Sequence, residues 1–229
     1  MAHSNSIGID CDAFNPFARC VHTYYFFSEG TNQFDNKPKQ LASSSWYDFE
    51  SYCLEDIYRD TEKAGRYICA PMASGLHPTK PEEYLGVHHF RSKTYAQQTR
   101  FLAFDLDYIA SQSDLNKLLE LIAHADLQAF CYHTRSSKPD KPRVRIIING
   151  DHPMFSDERR QISEELELVF LHRLNVESDT AYKFDRCVYN SWQPLFLPLR
   201  NAKAYSIHDG LIEDWVSIAG DYDLIGAKI

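Results

Sequence analysis

Apolar and polar positions recur along this chain with two different periods. In Phe101-Leu102-Ala103-Phe104-Asp105-Leu106-Asp107 the period is two. Leu102, Phe104 and Leu106 fall on one face of an extended segment, and Asp105 and Asp107 fall on the other. This is a strand that buries one face and ends in two carboxylates. Ser111-x-x-Asp114 follows as a capping signal, and Leu115, Leu118, Leu119 and Ile122 then line one side of a helix. "LQAFCYH", ending at His133, reads as a second strand and "RVRIIIN", from Arg143, as a third; Pro139 and Pro142 exclude a strand between them. Ser156-Asp157-Glu158 opens another helix, with Ile162, Leu166, Val169 and Phe170 as its apolar positions. "PLFLP", from Pro194 to Pro198, is a last short strand between prolines.

The N-terminal part is less periodic. Ser45 is placed as an N-cap, with Asp48 three residues on, and Trp46, Phe49, Cys53 and Ile57 follow at helical spacing. A helix is expected from residue 46 to about 63, with Gly65 as its stop. "RYICAPM" reads as a short buried strand or extended loop, residues 74–84 as a surface loop, and "HTYYFFSEG" as a strand and turn. The expected architecture is a single α/β (α+β) domain over residues 1–229. Residues 1–95 form an N-terminal subregion and extension, 96–200 the core, and 201–229 a C-terminal tail.

Composition narrows the classes. Hydrophobic residues are 44% and charged residues 24%, as in a water-soluble globular chain, and no uncharged apolar run is long enough for a membrane span. The first residues lack the basic and apolar regions of a signal peptide. Six cysteines are scattered without a Cys-x-x-Cys pair, which argues against a zinc ribbon and for reduced thiols in a cytoplasmic protein. A protein that grips duplex DNA through many phosphates is usually basic, so with a net charge of −8 any contact with nucleic acid has to be local or weak. The positive charge is uneven: Arg135, Lys138, Lys141, Arg143 and Arg145 stand against the single acid Asp140.

Charge and pattern together point to chemistry. Asp105 and Asp107 side by side repel each other unless a cation sits between them, and all-oxygen anionic ligands suit Mg²⁺ or Mn²⁺ shared with a substrate phosphate. The bland alternative is a strand running out into a polar turn. Arg143 and Arg145 share a face of their strand, and two aligned guanidiniums are costly unless they meet anions. Phosphates are suitable partners, and the turn Thr134-Arg135-Ser136-Ser137-Lys138 supplies hydroxyls, N–H groups and a lysine to wrap one. Structural ion pairs to Asp or Glu are the alternative for the two arginines. Taken together, the two strands describe a nucleoside triphosphate bound through a divalent metal.

"FLAFDLD", "YHTRSSKPDKPRVRIII" and "FDRCVYNSWQPLFLP", in that order, resemble the archaeo-eukaryotic primase superfamily, and most of all the primase–polymerase domains of plasmids, phages and integrative elements. The resemblance covers residues 46–198. It implies an RNA-recognition-like mixed or antiparallel sheet flanked by helices. It implies DNA-directed nucleotidyl transfer, as a primase or polymerase in replication of a mobile element. It implies that Asp105, Asp107 and Asp185 hold two divalent ions, Mg²⁺ or Mn²⁺. Nucleotide contacts would come from His133, Arg135, Ser136, Ser137, Lys138, Arg143 and Arg145. A single-stranded DNA template and ribo- or deoxyribonucleoside triphosphates would be the ligands, with a helicase or other replication proteins as partners. One departure stands out. The family usually has a histidine in the turn before Lys-Pro-Arg, where this chain has Ser137; Arg135 and His133 are the neighbours able to fill that space.

Two other classes compete. A catalytically weak nucleotide- or nucleic-acid-binding replication protein fits Ser137 and the acidic balance. A haloacid-dehalogenase-like phosphatase also uses Asp-x-Asp, but this chain has Ile109 where that motif wants Thr or Val, and it places the motif far from its N-terminus. Trp192, Phe196 and Tyr189 are candidates for base stacking, with core packing the plainer reading; His88-His89 reads as a solvated pair.

Overall fold

The computed structural model describes residues 24–55, 65–76, 79, 86–176, 180–199 and 201–214. In chain order the elements are β1 (Tyr25–Gly30), β2 (Lys39–Ser43), α1 (Trp46–Leu54), β3 (Tyr67–Cys69), β4 (Ser74–Gly75) and β5 (His88–His89). Then come β6 (Thr99–Ile109), α2 (Gln112–His124), β7 (Ala129–His133), β8 (Val144–Met154) and α3 (Ser156–Arg173). The last are β9 (Tyr182–Phe184), a 3₁₀ turn (Arg186–Tyr189), β10 (Leu195–Phe196), β11 (Ala204–His208) and β12 (Leu211–Asp214).

The centre is a six-stranded sheet in the order β12-β11-β7-β8-β6-β9. Its β6-α2-β7-β8-α3-β9 run is a split βαβ with every ladder antiparallel. This is the α+β core with an RNA-recognition-like sheet that was expected. The long strands β6 and β8, eleven residues each, form its spine. Phe104 on the helix-side face meets Phe170 of α3 edge-on, at 5.7 Å between ring centroids. On the opposite face Phe101 and Phe130 pack against Phe49 of α1. Each such fully buried ring contributes about 1.5–3 kcal/mol.

Local signals explain the helix starts. Ser45 and Ser111 each accept an N–H three residues on, from Asp48 and Asp114, at 3.1 and 3.2 Å. Such caps contribute about 1 kcal/mol apiece. Gly65 adopts φ 93°, a conformation that favours glycine. At Gly150 a Cβ would lie 2.5 Å from the Arg100 carbonyl oxygen, so the β6–β8 ladder closes there only around glycine.

Among the described residues of the N-terminal subregion, β1 and β2 join β3 and β10 in a second sheet, ordered β10-β3-β1-β2. Within the expected tail, the described residues to Asp214 carry β11 and β12, a hairpin that widens the central sheet beside β7. The short strand around Phe196 pairs with β3 in the second sheet and not with the core strands. The helix expected to reach about residue 63 is described to Leu54; Ile57 lies outside the described residues.

Candidate active site

Strand register brings the predicted carboxylates together. Asp105 lies opposite Arg145 on β8, and Arg145 lies opposite Tyr132 on β7. On the other side of β6, the Asp185 N–H donates to the Asp105 carbonyl at 2.8 Å. Directly opposed residues share a face, so Tyr132, Arg145 and Asp105 form a row across the sheet that ends beside Asp185. Asp107 stands two residues beyond Asp105 on that face and is exposed. The residues of the 134–143 turn join β7 to β8 at this same end of the sheet.

Arg145 is committed within the protein. It is 5% exposed; one guanidinium arm pairs with the Asp105 carboxylate and the other donates to the Phe196 carbonyl at 2.7 Å. Tyr132 Oη donates to the same carbonyl at 2.8 Å. Of the two readings for the aligned arginines, an ion pair to an acid is therefore the one seen at Arg145. Its charge is held on by Tyr132 and Asp105 despite burial. Burial raises the pKa of Asp105, Arg145 opposes that, and the neighbouring charges of Asp107 and Asp185 reinforce it. The net direction is upward, because burial and two like charges outweigh one cation.

Asp185 is fixed from α3. Its carboxylate accepts the Cys187 N–H at 2.9 Å and so caps the 3₁₀ turn. That turn is clamped twice. Arg159, 1% exposed, donates to the carbonyls of Phe101, Val188 and Tyr189. Glu167, 2% exposed, receives two arms of Arg186 and the Tyr189 hydroxyl. These buried polar positions replace Ile162, Leu166 and Val169 as the inward face of α3: Val169 is exposed, and the other two are partly buried against the core. Hydropathy misses them because their hydrogen bonds, and not their apolarity, justify burial.

The basic turn is different in character. Arg135, Lys138, Lys141 and Arg143 are exposed, and none has a carboxylate partner among the described residues. Arg143 donates weakly to Ser136 Oγ, at 3.4 Å. Ser137 Oγ accepts the Arg143 N–H at 3.0 Å and lies 2.7 Å from His133 Nδ1. The hydroxyl in the expected histidine position thus holds the turn shut. His133 itself pairs with Val144, on the face opposite Asp105, and its Nε2 is buried without a partner. Burial, and then the charge of Lys203, lower its pKa, so the ring is neutral at pH 7.

Among the described residues no three His, Cys, Asp or Glu side chains are gathered closely enough to hold a metal ion. The donor set at this end of the sheet is nonetheless all carboxylate, the kind that suits Mg²⁺ or Mn²⁺. Asp105 and Asp185 each have an intramolecular partner. A cavity of about 740 Å³, lined by Tyr25, Trp46, Arg100, Asn149 and Asp151 among others, lies toward the other end of β6 and β8, away from the aspartates. Tyr189 is core; Trp192 and Phe196 are half-buried against Tyr67, Cys69 and Met72. His88 and His89 are also half-buried, with His89 Nδ1 2.6 Å from the Met72 carbonyl oxygen. Cys53, Cys69 and Cys131 are free and buried, and Cys187 is free and exposed. No described helix is long and apolar enough to cross a membrane.

No family model and no curated protein matches the chain. A solved structure, the polymerase domain of ligase D from Mycobacterium tuberculosis in complex with DNA, is similar at a TM-score of 0.39 and 10% identity. The similarity covers 81% of this chain and 60% of that one.

Proposed function

We propose that this chain is a DNA-directed nucleotidyltransferase, a primase or primase–polymerase of a plasmid, phage or other mobile element. The observation that carries the reading is one juxtaposition. Asp105, Asp107 and Asp185 stand at one end of the central sheet, beside a turn whose exposed cations have no carboxylate partner among the described residues. Neighbouring carboxylates next to cations that have no carboxylate partner suit a metal-bound triphosphate. The ordered sequence motifs support the same reading.

Asp107, Asp185 and Asp105 would hold Mg²⁺ or Mn²⁺, which when bound would lower the pKa of the attacking hydroxyl and offset charge on the leaving pyrophosphate. Arg143, Arg135 and Lys138 would hold the triphosphate oxygens and stabilise charge that builds on them during transfer. Ser136 and Ser137 would shape the turn. Arg145 would act mainly through Asp105, as its fixed counter-charge. Template pairing, and not a side chain, would choose the base.

A gel assay for labelled product tests this, using single-stranded DNA with Mg²⁺ or Mn²⁺ and each nucleotide set. Metal-dependent product is expected. A second reading, a nucleotide-binding replication protein without efficient catalysis, is favoured by the Asp105–Arg145 pair and by Ser137. Calorimetric nucleotide binding with no product under any condition would select it.

A further inference from the structure

Most of the described arginines are used internally. Arg66, Arg91, Arg100, Arg145, Arg159, Arg160 and Arg186 all have carboxylate or carbonyl partners. Outside the basic turn, Lys93 is an exposed cation whose described contact is with a ring: its Nζ lies 5.7 Å from the Trp192 centroid. Two acid-free segments meet there. Residues 86–104 and 186–208 contain no Asp or Glu, although about one residue in seven of the chain is acidic. Tyr95, Ala96, Trp192 and Phe196 pack together on Tyr67, Cys69 and Met72. The patch borders the aspartates, because the Phe196 carbonyl is the one that receives Arg145 and Tyr132.

We infer that this surface, from Lys93 across Trp192 to Phe196, takes a single strand of DNA, with a phosphate on Lys93 and a base against the Trp192 indole. The inference deepens the proposed function by giving the template a path to the site. A lone strand fits better than a duplex for two reasons. Stacking on an aromatic ring needs an unstacked base. A duplex grip needs many phosphate contacts, which an acidic chain with few uncommitted cations does not offer. The displacement of Lys93 from the ring by a base would free its ammonium for the adjoining phosphate.

Fluorescence anisotropy of labelled oligothymidine about 12 nucleotides long tests this, without nucleotide or divalent metal and across a salt series. Lys93→Gln should weaken binding several-fold and lower the slope of log affinity against log salt by about 0.7. Trp192→Leu should weaken binding about 5- to 100-fold, and Trp192→Phe much less. A melting scan checks that Trp192→Leu is folded; Lys93 is exposed, so Lys93→Gln decides alone if it is not. Wild-type affinity and slope in Lys93→Gln overturn the inference. The catalytic reading fails separately: oligothymidine bound through Lys93 and Trp192, with no product in the gel assay, keeps the strand surface and removes the polymerase.

Discussion

Arg145 and Asp105 face each other across β8 and β6 and form a buried ion pair that also fastens β10, through the Phe196 carbonyl, to the central sheet. One residue expected to bind phosphate is thereby the counter-charge of a residue expected to bind metal. Removing one member leaves the other buried and unpaired. Arg145→Met should lose about 3–5 kcal/mol in urea unfolding. The double variant Arg145→Met/Asp105→Leu should recover much of that loss. A single variant as stable as wild type would mean the pair contributes nothing.

The exposed turn should behave in the opposite way. Arg143→Ala should leave stability within about 0.5 kcal/mol while weakening nucleotide binding by about 1–3 kcal/mol, the scale of a charge-assisted hydrogen bond. Calorimetry with a non-hydrolysable nucleotide and metal measures the second effect. Unchanged affinity would remove the turn from the nucleotide site.

Arg159 makes a third case. Burial lowers its pKa to about 10, so it stays charged at pH 7 while serving three backbone carbonyls. Arg159→Met strands those carbonyls at about 1–3 kcal/mol each before relaxation. The 3₁₀ turn behind Asp185 should loosen, seen as faster amide exchange at Cys187 and Val188. Wild-type exchange there would show that Glu167 holds the turn alone.

A pH effect is expected far from this site. His208 is bonded to buried Glu50 at 2.9 Å, while Ser206 bonds the other carboxylate oxygen and Tyr47 stacks on the ring. Burial alone would lower the His208 pKa, but Glu50, with Asp209 and Glu213 nearby, raises it overall. A raised histidine pKa means the folded state holds the proton more tightly. The stabilisation is complete below the unfolded value of about 6.5 and is lost as pH rises through the folded value. Unfolding free energy should therefore fall from pH 6 upward, and His208→Asn should flatten that fall. An equal slope in both proteins would contradict it.

Much of the core was legible because its signals are local. Alternation gave the strand through Asp105 and Asp107, and the serine caps gave both N-termini. What the sequence hid is pairing between distant residues. Nothing near Phe196 says that it joins β3, and nothing near Arg145 says that Asp105, not a ligand, lies across from it. The alternation that put Asp105 on one face does not reach His133, whose face depends on register with Val144. The inward face of α3 was legible in part: Phe170 is core and Ile162 and Leu166 pack against it, but Arg159 and Glu167 are buried for hydrogen bonds made with the turn after Asp185. For Asp185 the signal was the order of motifs, and the β9 register explains its place beside Asp105.

If the carboxylates at the end of β6 carry metal-dependent nucleotidyl transfer, incorporation has to depend on Asp107. The most direct measurement compares labelled-nucleotide incorporation on single-stranded DNA by wild type and Asp107→Asn, in Mg²⁺ and in Mn²⁺, with melting temperatures alongside. Asp107 is exposed and no partner of its side chain is described, so the variant should fold as well as wild type or slightly better without metal, as like-charge repulsion is removed. Product from wild type and none from Asp107→Asn at equal melting temperature is the predicted result. Equal product from both proteins, or none from wild type in either metal, would contradict it.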